Sequence, residues 1–101
     1  MCKRPQSNRQ IDIFRRSKEW EKKSIEIKER DRWMCVVCKN NLYDTVRQYN
    51  SENLETHHIT PLKESYKMRT EGGNLVTLCT RHHKMAERGQ IPRDVLRTLI
   101  Q

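Results

Sequence analysis

Residues 55–62 read ETHHITPL and place two of the four histidines of the chain side by side. The alternation of residue types in this stretch predicts a short strand over residues 56–60, which ends at Pro61. Because neighbouring residues of a strand point to opposite faces, we expect His57 and His58 to face in opposite directions. One ring can then bind a metal ion while the other serves a different purpose.

Two pairs of metal-binding residue types lie on either side of this stretch. Cys35 and Cys38 are separated by two residues, and so are Cys79 and His82. Two such pairs can converge on one tetrahedral ion, and zinc accepts both ligand types in closed structural sites. The sequence therefore predicts a structural zinc site, with a redox dithiol or simply buried thiols as the alternatives.

Three histidines remain when His82 is assigned to zinc. His57 and His58 lie on the predicted strand, and His83 lies at the start of a helix predicted over residues 81–88. A closed four-ligand site leaves no position for water, so any chemistry is expected at the three remaining histidines. Chance placement of surface histidines is the alternative.

Length and composition describe a small, polar and basic chain. It has 101 residues, of which 34% are hydrophobic and 34% are charged, so one domain with a thin core is expected, and such domains usually need a metal or a partner. The net charge of +8 favours a polyanionic partner such as nucleic acid, with plain solubility as the alternative. No stretch suits a membrane span or a signal peptide. We therefore expect a reducing cytosol, where cysteines favour metal over disulfides.

The N-terminal part is predicted to be a flexible basic arm over residues 1–12, followed by a single domain over residues 13–101. A helix is expected from Ile13 to about Asp31, with Ser17 as a candidate N-cap after an extended lead-in. One stripe of this helix carries its apolar positions, of which Trp20 and Ile27 are assigned to the core.

The remaining segments alternate between polar connections and short apolar runs. Residues 40–55 are expected to be irregular or a short hairpin, and residues 63–73 a charged connection that ends at two glycines. A last helix is expected after Pro92, with an apolar face made of Val95, Leu96, Leu99 and Ile100.

Three runs together resemble the HNH endonuclease family: residues 55–62, the run GNLVTLC at 73–79, and RHHK at 81–84. The upstream run from Phe14 to Cys38 is similar to the lead-in of small phage-type members, and the match covers roughly residues 13–92. The resemblance implies an α+β fold: a ββα-metal domain with an N-terminal helix, a structural zinc knuckle and a C-terminal helix.

The resemblance also implies roles for the matching residues. His57 and His83 correspond to the ligands of one catalytic divalent ion, and His58 to the general base that activates water. Asn74 corresponds to the middle letter of the motif, whose side chain holds the loop around the histidines.

Two positions depart from the commonest family pattern. The second zinc pair ends in His82 rather than cysteine, which leaves a reasonable Cys3His site. Glu87 stands where some members have a further histidine, so water and phosphate oxygens are expected to complete the coordination sphere. Magnesium, manganese, nickel, cobalt or zinc could each support activity.

The implied substrate is DNA, nicked or cut through both strands with low sequence specificity and bound mainly through phosphates. Six basic residues are candidate contacts, each of which could equally be an ordinary solvated charge: Lys63, Lys67, Arg69, Arg81, Lys84 and Arg88. By resemblance, the chain is expected to be phage or prophage encoded, to act in the bacterial host cell, and to serve DNA packaging beside terminase or portal proteins. The alternatives are RNA as the substrate and a non-catalytic zinc-binding nucleic-acid-binding or adaptor module.

Overall fold

A computed structural model describes residues 8–100. In this part of the chain five helices and two strands follow one another as α1 Asn8–Arg15, α2 Lys18–Arg30, α3 Val36–Lys39, β1 Leu54–His58, β2 Leu75–Cys79, α4 Thr80–Glu87 and α5 Arg93–Leu99. Two short 3-10 turns, Tyr66–Met68 and Gly72–Asn74, lie between the strands. None of the described helices is long and apolar enough to cross a membrane.

The centre of the fold is an antiparallel hairpin followed directly by a helix. β1 pairs with β2 in a register that places His57 opposite Val76 and His58 opposite Leu75, and α4 begins at the residue after β2. Every residue of β2 is buried, because helices pack around the hairpin. This ββα unit with flanking helices confirms the predicted α+β fold.

Two apolar clusters hold the elements together. The larger one joins α3, both strands and α5, and contains Val37, Ile59, Val76, Leu78 and Leu96 among its buried members. The smaller one consists of Ile11, Phe14 and Leu62, with Trp20 and Tyr66 packed against it, and attaches α1 to the segment that follows β1.

The N-terminal helix differs from the predicted single helix over residues 13–31. Ser17 interrupts it, since its hydroxyl accepts a hydrogen bond from the backbone N–H of Trp20 at 3.1 Å and donates one to the carbonyl of Phe14 at 2.6 Å. Ser17 is therefore the N-cap of α2, as predicted, but the residues before it form α1 rather than an extended lead-in.

α1 extends into the stretch predicted to be an arm. It begins at Asn8, and Ile11 is only 2% exposed, because α1 packs its apolar face into the smaller cluster. Ile13 lies on the other side of this helix and is 53% exposed, so it does not continue the predicted apolar stripe. Residues 1–7 of the predicted arm lie outside the described part of the chain.

The segment between α3 and β1 forms an irregular loop rather than a hairpin. Several non-glycine residues there adopt left-handed backbone conformations, including Asn41, Tyr43, Asp44 and Asn53, each with φ between 52° and 58°. Asparagine and aspartate tolerate this region better than most residue types do. The turns fold the loop back over α4, where the carbonyl of Tyr43 meets His82.

Candidate active site

Four side chains from separate parts of the sequence converge in the larger cluster. The sulfur atoms of Cys35, Cys38 and Cys79 lie 3.5, 3.3 and 3.4 Å from Nδ1 of His82, and Cys38 and Cys79 are 3.8 Å apart. A tetrahedral ion with Zn–S near 2.3 Å and Zn–N near 2.0–2.1 Å requires S–S edges of about 3.8 Å and S–N edges of about 3.5 Å. The donor set therefore fits a tetrahedral metal ion.

Local structure brings these four residues into position. Cys35 is the N-cap of α3 and Cys38 lies in its single turn, while Cys79 is the N-cap of α4 and His82 lies in the first turn of that helix. Two-residue gaps at helix starts aim both members of each pair to the same side. Burial raises the pKa of Cys35 to about 12, so thiolates at this site need a cation.

A hydrogen bond at Nε2, the nitrogen that does not face the sulfur atoms, orients the ring of His82. Nε2 lies 3.0 Å from the carbonyl oxygen of Tyr43, which can only accept, so Nε2 carries the proton and Nδ1 presents its lone pair to the sulfur cluster. This second hydrogen bond fixes the tautomer in the way that partners of metal-bound histidines usually do.

The other three histidines line a groove of about 640 Å³. Arg15 and Trp20 form part of one wall, and the segment from Ala86 to Arg93 forms part of the other. The groove therefore lies between the N-terminal helices and the α4–α5 connection, with the C-terminal end of β1 at its floor.

His57 and His83 line one part of the groove, and two acidic residues contact His83, of which Glu87 also lines the groove. The centroids of the two rings are 5.0 Å apart. Nδ1 of His83 contacts a carboxylate oxygen of Glu55, and Nε2 lies 3.1 Å from Oε1 of Glu87. Both nitrogens of the His83 ring thus face carboxylates, so one of these two contacts has to open before His83 can bind a metal ion, while the other can orient the ring. Glu55 was not singled out from the sequence, although it lies two residues before His57 and so on the same face of β1.

Burial keeps the His57 ring neutral. Its pKa is lowered to about 4, first by desolvation and then by the nearby charges of His83, His58 and Arg93. A neutral imidazole is the form that binds metal ions. Within residues 8–100, however, only the Cys3His cluster holds three or more ligand atoms at mutual distances below 4.8 Å.

His58 lies on the other face of β1, as the strand alternation predicts. Its ring stacks on Trp20 with centroids 4.7 Å apart, and its Nε2 donates to the carbonyl of Arg69 at 3.0 Å. This donation leaves Nδ1 as the basic nitrogen of the neutral ring. Burial lowers the pKa of His58, the Arg69 carbonyl opposes that effect, and the charge of Arg15 lowers the pKa further. Trp20 was assigned only to the core from the sequence.

Asn74 is fully buried and connects the start of β2 to the residues that follow β1. Its Oδ1 accepts from the backbone N–H of Thr60 at 2.7 Å, and its Nδ2 donates to the carbonyl of Thr60 at 3.1 Å. The backbone carbonyl of Asn74 accepts from the N–H of Ile59 at 2.8 Å. These three bonds hold the chain immediately after His58 in one conformation.

The six basic residues predicted to contact DNA all lie outside the groove lining. Five of them are exposed, namely Lys63, Lys67, Arg81, Lys84 and Arg88. Arg69 is half-buried, with its guanidinium 4.5 Å from the ring centroid of Tyr66 and 3.9 Å from a carboxylate oxygen of Glu19. The arginines of the groove wall are Arg15 and Arg93, which sequence reasoning did not select because nothing local marks their direction.

Comparisons with known proteins agree with this geometry. A family model for the HNH endonuclease matches residues 35–89, which include both metal-ligand pairs and the three groove histidines. The crystal structure of the HNH endonuclease of the deep-sea thermophilic bacteriophage GVE2 with manganese ion is similar, with a TM-score of 0.67 and 28% sequence identity over 82% of this chain and 86% of that chain. Among curated proteins no match is found. The chain belongs to the HNH endonuclease family, and it is a nuclease.

Proposed function

We propose that this nuclease hydrolyses phosphodiester bonds of DNA, with His57 and His83 as ligands of a catalytic divalent ion and His58 as the general base. The observation that carries the proposal is that His57 and His58 point to opposite faces of β1. His57 approaches His83 on one face, His58 lies on the other, and all three line one groove. A metal-bound phosphate and a proton acceptor can therefore occupy the same groove.

His58 is suited to take a proton from the attacking water. Its Nε2–H is held by the carbonyl of Arg69, and stacking on Trp20 fixes the plane of the ring. Nδ1 is free of a proton at neutral pH because burial lowers the pKa of the ring. General-base assistance of this kind contributes roughly 10²–10⁴-fold to a rate.

The two groups of candidate ligands, three cysteines with one histidine and a pair of histidines, favour two metal sites with different roles. The closed Cys3His cluster would hold a structural zinc ion. At the groove, a divalent ion supplies Lewis-acid stabilisation of the phosphoryl oxygens and of the leaving oxygen. His57 and His83 would hold this ion, with Glu55 or Glu87 orienting His83. Manganese is an apt first choice for testing because the GVE2 crystal structure is described with that ion.

Supercoiled plasmid incubated with the purified protein and a panel of divalent ions tests this proposal. We expect nicked or linear DNA with at least one ion, none with excess chelator, and a loss of about 10²-fold or more in His58→Ala. A Lys22→Ala variant, which removes an exposed charge of α2 that neither lines the groove nor belongs to the candidate DNA contacts, serves as the control. Near wild-type cleavage by His58→Ala would reject the assigned base, and plasmid left intact with every ion would favour the non-catalytic zinc module.

DNA binding is expected to depend on phosphate contacts and therefore to weaken steeply with salt. The net charge of +8 supports this expectation. A role in DNA packaging beside terminase or portal proteins remains a prediction that rests on the resemblance to small phage-type members.

A further inference from the structure

Two arginines line the groove, and within residues 8–100 only one of them forms an ion pair with a carboxylate. Arg93 donates to both carboxylate oxygens of Glu64, at 3.0 and 2.7 Å. Arg15 also lines the groove, yet its guanidinium forms no ion pair or hydrogen bond with any residue from 8 to 100. Five N–H donors and a permanent charge are thus available beside the catalytic histidines.

The position of Arg15 is set by its neighbours in α1. Phe14 is 3% exposed and packs against the rings of Trp20, Tyr66 and His58, with centroids 5.4, 6.1 and 6.2 Å away. The capped turn at Ser17 then fixes the angle between α1 and α2. The buried Phe14 side chain and the capped turn therefore fix the backbone position of Arg15 relative to the groove.

Arg15 and His58 belong to the same part of the groove. Both residues line it, and Arg15 is close enough for its charge to act on the His58 ring. An anion drawn to Arg15 would therefore lie in the groove that His58 lines. The ligand that an endonuclease places there is a phosphate of the DNA backbone.

We propose that Arg15 binds the phosphate that undergoes cleavage, so that α1 supplies a catalytic residue from outside the matched family segment 35–89. The proposal rests on the function proposed above. A planar guanidinium can donate two parallel hydrogen bonds to phosphoryl oxygens, and its charge opposes the negative charge that develops on them. Such preorganised donors act most strongly in the transition state.

Arg16 provides a matched control within the same helix. It is exposed and does not line the groove, and its Nε donates to the carbonyl of Asp12 inside α1 at 3.3 Å. Arg15→Ala and Arg16→Ala therefore change the net charge equally and truncate neighbouring side chains. Arg15→Lys keeps the charge but removes the planar fork.

Single-turnover cleavage of a labelled DNA duplex, measured with manganese at saturating protein, separates chemistry from binding. We expect Arg15→Ala to lower the saturated rate by about 10²-fold or more, as loss of one transition-state donor typically does. Arg15→Lys should recover part of the rate, and Arg16→Ala should stay within about twofold of wild type. Equal saturated rates for Arg15→Ala and Arg16→Ala would overturn the proposal.

A second measurement works even if the proposed function fails. Inorganic phosphate is titrated into the zinc-loaded full chain without other metal ions, and the ring signals of His58 and Trp20 are followed by NMR. Phosphate should shift these signals in wild type and Arg16→Ala, and much less in Arg15→Ala. Absence of shifts in wild type, or equal shifts in all three proteins, would reject the Arg15 site. Wild-type shifts without any DNA cleavage would reject only the proposed function.

Discussion

At the scale of single residues, the two adjacent histidines of α4 show how one helix serves two sites. His82 is 1% exposed and directs Nδ1 into the sulfur cluster, whereas the side chain of His83 is 20% exposed and lies beside His57 in the groove. Successive residues of a helix are rotated by about 100°, so neighbours cannot serve one site together. The division of roles between His82 and His83 stays a prediction, and the positions of the two rings suggest how to test it.

Substituting each of these histidines should have opposite consequences. We expect His82→Ala to lose bound zinc and cooperative unfolding, because the tetrahedral donor set is broken. His83→Ala should keep zinc and the thermal midpoint but lose DNA cleavage. Zinc analysis, thermal denaturation and plasmid cleavage check both variants. A folded, zinc-loaded His82→Ala together with an unfolded His83→Ala would show that the roles are reversed.

The pH profile of cleavage should report the environment of His58. Burial lowers the pKa of His58 below the ordinary value of 6.5, and a divalent ion on neighbouring His57 would lower it further. The active base is the deprotonated form, so the single-turnover rate should fall towards acid pH with a midpoint below pH 6.5. Rates at saturating metal between about pH 5 and pH 8 test this expectation. A midpoint at or above pH 6.5 would contradict it.

At the scale of elements, the end of α2 is joined to β2 by polar side chains. Asp31 accepts the backbone N–H of Thr77 at 3.0 Å, and Arg30 donates to the carbonyls of Gly72 and Leu75 at 2.8 and 2.7 Å. These bonds satisfy main-chain groups on the edge of β2 that has no strand partner. They hold the hairpin, and hence the strand that carries His57 and His58, against α2.

Removing the Asp31 carboxylate should loosen this connection. Asp31→Ala leaves the buried N–H of Thr77 without its acceptor, so the free energy of unfolding should fall by about 1–3 kcal/mol. Asp31→Asn retains an acceptor oxygen and should lose less. Denaturant unfolding of the zinc-loaded protein measures both losses, and equal stability of wild type and Asp31→Ala would contradict the role of this bond.

Thr77 offers the reverse test at the same place. Its Oγ1 is the one buried side-chain polar atom among the described residues without a hydrogen-bond partner. Thr77→Val replaces the hydroxyl by a methyl of similar size, so the free energy of unfolding should stay unchanged or rise, by up to about 1 kcal/mol. A clear loss of stability in the same denaturation experiment would show that the hydroxyl has a partner.

At the scale of the whole molecule, a metal ion held by the Cys3His cluster is expected to compensate for a small core. The Cys3His side chains lie inside the larger apolar cluster and join α3 to the start of α4. Zinc binding at such sites contributes roughly 10–16 kcal/mol at neutral pH, which is comparable to the total stability of a small domain. The metal ion is therefore expected to be part of the folded state.

Removal of the metal should accordingly unfold the chain. A strong chelator is expected to abolish the cooperative thermal transition seen by circular dichroism, and added zinc should restore it. Magnesium should not restore it, because thiolate ligands select softer ions. A metal-stripped protein with an unchanged thermal midpoint would contradict a structural role for the cluster.

The sequence by itself determined the features that depend on local spacing. The gap between Cys35 and Cys38, and that between Cys79 and His82, suffices to aim each pair at one ion. Strand alternation suffices to place His57 and His58 on opposite faces. The family resemblance added the ββα order and the endonuclease activity, because its motifs combine spacing with residue type.

Only the tertiary structure decided which other side chains lie near the histidines. Glu55 contacts His83, Trp20 stacks on His58, and Arg15 lines the same groove as His58, across 28, 38 and 43 residues of sequence. The placement of Arg15 and Trp20 follows from the angle between α1 and α2 at Ser17 and from the packing of α1 through Phe14. Local periodicity carries no information on such angles, since they depend on how separate helices fit against the hairpin. For that reason the histidines could be identified from the sequence, whereas the arginines that line the groove with them, Arg15 and Arg93, could be identified only from the packing of the helices.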